Sequence, residues 1–368
     1  MKIQQILAIT TLTSLSTATL AAPFAVYDAR SAGMGGTGVA SAHISSAPFY
    51  NPAMLSAQRA EDDFSLLAGA GVSAQDNNQL LTDLEAFDTA YTNSDATAAQ
   101  AAITSASGKQ LSVQGAGYLA AGVAFENWSF AASTNSYVQA NISVTADISA
   151  PPLSYLNSDL TFTGVEVEET GISLARNFGN ISIGITPKTQ NVTSYDASAD
   201  IANNSAVGDI IDVATTTGMV EHGTTTNLDV GLVIKVTENW KMGAVMRNAL
   251  SEDYTTNLSK KVTLDPQTRA GVGYTGDTIT LAVDYDLAVN DPIVTGGEKT
   301  QYLNAGVELD LLDILQIRAG MSTNTANNAA EDVYSVGLGL TILAAQLDIA
   351  AVGNNNNASI YAQLGIRW

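Results

Sequence analysis

The stretch Thr278–Leu287, TITLAVDYDL, places Ile279, Leu281, Val283, Tyr285 and Leu287 on one parity and Thr280, Asp284 and Asp286 on the other. Successive side chains of a strand point to opposite faces, so this segment has one apolar face and one hydrophilic face. The pattern repeats on both sides. Leu303, Ala305, Val307, Leu309 and Leu311 alternate with Tyr302, Asn304, Glu308 and Asp310. Leu315, Ile317, Ala319 and Met321 do so with Gln316 and Arg318, and Tyr334, Val336, Leu338, Leu340 and Ile342 with Ser335 and Thr341. Upstream, Leu228, Val230, Leu232, Ile234 and Val236 flank Asp229 and Lys235.

Carried along the chain, the alternation predicts strands at about 62–74, 111–124, 128–143, 165–177, 180–194, 223–236, 240–255, 262–275, 278–289, 300–311, 314–322, 332–342, 345–352 and 358–368. Their connections alternate in length. Those near Glu126, Gly179, Glu238, Gly276, Asp313 and Leu343 are tight, and those between are mostly long. A secreted β-sandwich shows alternating strands too, but has no reason to alternate its loops. Outer-membrane barrels have short periplasmic turns and longer external loops. The expected fold is therefore all-β, a transmembrane antiparallel barrel of about fourteen strands in a bacterial outer membrane, with both termini periplasmic. The last strand puts Ile360, Ala362, Leu364, Ile366 and Trp368 on one face. Leu364, Ile366 and Trp368 resemble the terminal signature read by barrel-assembly machinery, which would be a partner together with outer-membrane lipid.

Composition agrees. The 368 residues are 46% hydrophobic and 14% charged, yet no apolar run reaches the length of a membrane helix. Residues 1–21 read as a secretory signal: Lys2, an apolar stretch from Ile6 to Leu15, then small residues to Ala22. There is no cysteine, so neither a disulfide framework nor a thiolate metal site is available. The net charge of -21 would repel a phosphate backbone, which argues against direct nucleic-acid binding.

Residues 22–60 are rich in Gly, Ala and Ser, and carry neither a helical nor a strand period. They are expected to form a separate element, with the barrel occupying 61–368. Gly33, Gly35 and Gly38 satisfy the spacing of a dinucleotide-binding turn, but no strand precedes them and no βαβ unit surrounds them. Glycine serves equally to turn a compact plug sharply. The run Ser31 to Ala40, with Gly33, Gly35, Gly36 and Gly38, followed by Phe49, Tyr50, Asn51, Pro52 and Ala53, resembles the N-terminal region of the FadL-like outer-membrane transporters of hydrophobic compounds. The continuation through Glu61, Asp62, Asp63, Phe64 and Ser65 is most similar to the TraF type, associated with conjugal transfer. The resemblance implies a fourteen-stranded barrel with an N-terminal plug, in which Gly33, Gly35, Gly36, Gly38, Phe49, Tyr50, Asn51 and Pro52 form the hatch.

Two long loops carry helical spacing. Leu80, Leu81, Leu84, Phe87 and Tyr91 share one helix face, and Val207, Ile210, Ile211 and Ala214 another. Both loops are acidic and are expected to pack as solvated helices over the barrel mouth. Leu80, Leu84, Phe87, Ile210 and Ile211 are candidates for capturing a hydrophobic ligand. Lys188, Asp229, Lys235, Arg269, Asp284, Asp286, Glu308, Asp310, Arg318 and Asp348 fall on the lumen side, where mixed signs favour a bonded interior or a polar channel.

Only His43 and His222 are present, and neither sits in a catalytic or metal-binding motif. No catalytic residue, cofactor or metal is expected. Two functions remain: passive uptake of a hydrophobic small molecule through a plugged barrel, and a TraF-type role in conjugal transfer or envelope assembly through partners. A general porin is disfavoured by the plug.

Overall fold

A computed structural model of the chain describes residues 28–57, 64–76, 78–201, 213–293, 299–327 and 330–367. The signal segment, Ile210, Ile211 and Trp368 lie outside the described residues.

Fourteen antiparallel strands close into a barrel. In chain order they are β1 (Phe64–Gln75), β2 (Gln110–Ala124), β3 (Trp128–Thr145), β4 (Asp159–Asn177), β5 (Ile181–Asp200), β6 (Met219–Lys235) and β7 (Trp240–Arg247), then β10 (Gln267–Thr275), β11 (Ile279–Asp286), β12 (Tyr302–Leu311), β13 (Leu315–Asn324), β14 (Val333–Ile342), β15 (Ala345–Gly353) and β16 (Asn357–Arg367). The last strand closes the wall against the first, with Leu66 opposite Ile366 and Ala68 opposite Leu364. Closure leaves no unpaired edge at that seam, which a bilayer requires.

The alternation sorts as the sequence predicts. On β11, Leu281, Val283 and Tyr285 are exposed on the outer face, while Thr280, Asp284 and Asp286 are buried inside. Ile183 on β5, Leu232 on β6, Leu338 on β14 and Leu364 on β16 continue the apolar outer belt. No described helix is long and apolar enough to cross a membrane; the strands carry the apolar surface.

Two predicted strands are broken. Residues 240–255 divide into β7 and β8 (Glu252–Thr255), and 262–275 into β9 (Lys261–Leu264) and β10. Asn248 takes a positive φ of 50° at the first break, and Pro266, which has no N–H to give a ladder, sits at the second. Between the breaks β8 and β9 pair as a separate hairpin that leaves the wall and folds inward. Thr256 Oγ1 and the Leu258 amide donate to Asp196 Oδ2 on the lumen face of β5, and Lys260 Nζ reaches Thr163 Oγ1 on β4 at 2.5 Å.

The long-loop helices also differ from expectation. α4 (Leu80–Thr92) and α5 (Ala96–Ala106) pack against each other and against Leu111 of β2, Ile142 and Val144 of β3, and Leu160 and Phe162 of β4. Those strand residues share the outward parity of Phe130 and Leu119, so the helical pair lies on the outside of the wall, not over the mouth. The reason is strand length. β4 and β5 have 19 and 20 residues, roughly 65 Å of extended chain, whereas an apolar membrane band is about 25 Å tall. Their surplus outer face needs cover.

The N-terminal segment contributes three short helices, α1 (Ala29–Gly33), α2 (Ala47–Tyr50) and α3 (Met54–Ala57). All three are buried inside the barrel near its short-turn rim, where Arg367 Nη1 contacts His43 Nδ1 at 3.1 Å and Asn177 Nδ2 donates to Ser56 O.

Candidate functional site

The site is the lumen and its plug. α1 is capped by Asp28, whose Oδ1 accepts from Ser31 N at 2.6 Å. Burial pushes the Asp28 carboxyl up to about 6, against the opposing pull of the Ser31 amide and Arg30. At Gly35 and Gly36 the backbone adopts φ of 72° and 86°, which favours glycine and turns the chain back across the lumen. Asn51 then bridges plug and wall: its Nδ2 donates to Val39 O at 2.9 Å and to Leu232 O of β6 at 3.2 Å, while its Oδ1 accepts from Ala53 N. An aspartate here could accept but not donate, and an alanine could do neither.

Toward β10–β16 the plug is held by polar groups. Arg30 forks onto Glu308, with Nη2 to Oε1 at 2.8 Å and Nε to Oε2 at 2.9 Å. Arg318 joins the same carboxylate at 2.6 Å and reaches Asp348 at 2.6 Å. Gln363 passes the network to the plug by donating to Asp348 at 2.7 Å and accepting the Ala29 amide at 2.8 Å. Asp284 receives the amides of Gly38 and Val39. The lumen charges read from the sequence thus form a bonded interior, with Arg269 also paired to Asp286 at 2.6 Å. Lys235 and Asp310 lie nearer the short-turn rim, bonded to Glu238 and Gln316.

Toward β2–β6 the contact is apolar. Phe49, Tyr50, Met54 and Leu55 are buried with Tyr118, Ala120, Ala131, Ala175 and Val233. Phe49 meets Tyr118 edge to face at 5.5 Å between centroids. The same cluster continues to Val165, Val167 and Val192, and to Tyr254 and Val262 of the inward β8–β9 hairpin.

The wall supplies a feature that strand-by-strand reading missed. Gly184 lies opposite Gly231, Gly243 opposite Gly271, and Gly306 opposite Gly320. A Cβ on Gly184 would meet Pro52, on Gly231 or Gly243 it would meet Asn51 or Val39, and on Gly306 or Gly320 the backbone of Met34 or Gly35. These pairs let plug and wall backbones touch. Glycines recurring at lumen-parity positions were the available signal.

Above the plug, on the β10–β16 side, a vestibule of about 140 Å³ remains. Ala32 and Gly36 line it from the plug, Ser73 and Gln75 from β1, and Tyr302, Ser322, Ser359 and Tyr361 from the wall.

Leu80, Leu84 and Phe87 are buried between α4, α5 and the outer wall, so their apolar area is spent on packing. Ser194 Oγ and His222 Nε2 are 2.9 Å apart, a spacing that suits a nucleophile and its base. Ser194 is fully buried, and His222 lies against the Tyr254 ring at 5.0 Å. No acid bonds the second ring nitrogen among the described residues, so the pair reads as a tie between strands and hairpin.

The closed wall, the N-terminal segment inside the lumen and the apolar outer belt define a membrane-spanning β-barrel. The chain belongs to the family described as "F plasmid transfer operon, TraF, protein", whose model matches residues 48–286. Among solved structures it is similar to the Ralstonia pickettii toluene transporter TbuX, at 13% identity and a TM-score of 0.56, covering 93% of this chain and 97% of that one. The CymD monoaromatic hydrocarbon channel gives 13% and 0.57, with 95% and 99% covered. A Pseudomonas aeruginosa FadL homologue gives 12% and 0.55, with 96% and 99% covered. At such identities the likeness concerns the fold. No curated protein matches the sequence.

Proposed function

We propose that this chain is a passive outer-membrane conduit for small hydrophobic molecules. The short-turn rim and both termini face the periplasm, and the segment 22–60 is the hatch. Solute enters the vestibule from the long-loop side and leaves when the plug shifts within the lumen. The observation that carries the reading is the vestibule itself, a cavity of about 140 Å³ bounded below by plug residues Ala32, Gly35 and Gly36 rather than by the wall alone. That the TbuX and CymD structures are named as a toluene transporter and a hydrocarbon channel supports this direction. Capture by Leu80, Leu84 and Phe87 would require α4 and α5 to lift from the outer wall. No catalytic step is assigned.

The test is uptake of radiolabelled toluene and a long-chain fatty acid by intact Gram-negative cells lacking their own hydrocarbon channels, with and without this protein. Accelerated uptake of either supports the conduit; rates equal to the empty control for both would overturn it.

The family match favours a second reading, in which the barrel serves conjugal transfer or envelope assembly and its acidic outer helices, with Glu85 exposed, meet a partner. Unchanged conjugation after deletion of the gene in a plasmid-bearing host would remove it.

A further inference from the structure

We propose that the vestibule selects uncharged, single-ring solutes carrying hydroxyl or amide groups over plain hydrocarbons; this rests on the conduit reading and narrows its substrate class. Size sets the first limit. An apolar cavity of about 150 Å³ takes up benzene, so the 140 Å³ here has room for one aromatic ring.

The lining sets the second. Ser73 lies opposite Ser359, and Gln75 opposite Asn357, so the β1–β16 seam presents two hydroxyls and two amides side by side. All four are half-buried, which leaves them reachable from the cavity. Next along the seam Tyr361 lies opposite Gly71, where a Cβ would run into the tyrosine ring, so the ring covers the glycine. With Val352 and Ala32 it forms an apolar patch beside the polar seam. A ring bearing polar substituents matches both surfaces at once.

Hydrogen bonding sets the preference. Buried polar atoms are ordinarily bonded, and a site built from such groups rejects an analogue that leaves them unpaired. A hydrocarbon would leave Asn357 and Gln75 unserved. Charge is not demanded: no carboxylate lines the cavity, and its lining arginine, Arg269, is paired to Asp286.

Resorcinol and toluene are similar in size and differ in hydrogen bonding. Each would be titrated calorimetrically into the full protein in nanodiscs, with empty nanodiscs subtracted. Resorcinol is expected to bind about tenfold tighter or better. The double variant Gln75→Leu/Asn357→Leu should reverse the preference, and the milder Ser73→Ala/Ser359→Ala should reduce it, with heat-modifiable migration on gels confirming that each variant is folded. Toluene binding the unaltered protein as tightly as resorcinol, or a folded leucine double variant with an unchanged preference, overturns the inference and leaves the conduit reading standing. Resorcinol preference without accelerated uptake in cells supports the inference and removes the conduit.

Discussion

The two sides of the barrel hold the same plug by different physics. On the β2–β6 side the strands have 15 to 20 residues, and the plug meets them through Phe49, Met54 and Leu55 in an apolar cluster. On the β10–β16 side they have 8 to 11 residues, and the plug is bound through Arg30, Glu308, Arg318 and Asp348. Apolar packing is non-directional and tolerates small slides, whereas a forked ion pair fixes position. On the proposed conduit reading, a plug that seals and yet moves gains from this division: the apolar side would serve as a bearing surface and the polar side as a latch. The open vestibule lies on the latch side, where release would matter.

Removing Arg318 should have the largest effect. Arg318→Ala leaves Glu308 and Asp348 buried without one of their cations, and breaking a buried pair from one side costs about 3–5 kcal/mol. Urea unfolding in detergent should show the loss. Electrical noise or open-channel events in planar bilayers should rise, because Arg318 fixes the Glu308 carboxylate onto which the plug's Arg30 forks. If conductance is silent while stability falls, the latch belongs to the wall alone.

Met54→Ala tests the bearing side. Deleting a fully buried Met costs about 2–5 kcal/mol through lost burial and a residual cavity. The expected outcome is lower stability with little change in conductance, measured in the same two assays. Channel opening as large as that of Arg318→Ala would erase the distinction between the sides.

How much of this was legible in the sequence follows from where one rule held. Along β11–β14 each outer face is apolar and each inner face polar, so Asp284, Glu308 and Arg318 could be placed inside from Leu281, Val307 and Ile317 alone. On the upper part of β4 the rule reverses: Val165 and Val167 point inward, and Glu166 and Glu168 outward, because the inner face of that stretch meets the folded-in hairpin. Alternation reports a difference between faces, not which face is lipid. The hairpin itself was hidden because Tyr254 and Val262 carry the same period as a wall strand, and only Asn248 and Pro266 mark the departure. Gly35 and Gly36 do turn the N-terminal segment at positive φ, but the glycine pairs of the wall that it approaches are far away in sequence and meet only through register.

A smaller effect concerns pH and separates the latch from its surroundings. Asp28 caps α1 next to Arg30, and burial raises its carboxyl to about 6 from an ordinary 3.8. In the docked plug it therefore binds a proton that the unfolded chain binds only at lower pH. Stability from this group is full below about 4 and is lost as pH rises through about 6. The Asp28 contribution to plug docking should strengthen on acidification across that window by on the order of 2 kcal/mol. It is opposed by His43, whose burial beside Arg30 and Arg367 holds it well below its ordinary value and makes it costlier to protonate in the docked plug. Asp28→Asn keeps a capping oxygen and removes the ionisation. Between pH 7 and 4.5, protease protection of the N-terminal segment should change in favour of docking more in the unaltered protein than in the variant; an equal change in both would assign the effect to other groups.

The smallest expected effect on the lumen comes from the part of the long-strand side that lies outside it. Phe87 stacks on Tyr91 at 5.7 Å and meets Tyr155 edge to face at 5.9 Å, in a cluster of α4, α5 and the outer wall. Phe87→Ala should cost that cluster about 3–5 kcal/mol, enough to loosen α4 from the wall and expose the 76–109 loop to protease. Neither plug protection nor conductance should change, because no plug residue belongs to this cluster. The variant thus asks whether the tall strands act as one body with the lumen. A conductance change in Phe87→Ala would mean that the outer helices and the plug are coupled through the β2–β5 wall, and the bearing surface would then extend to the outside of the barrel.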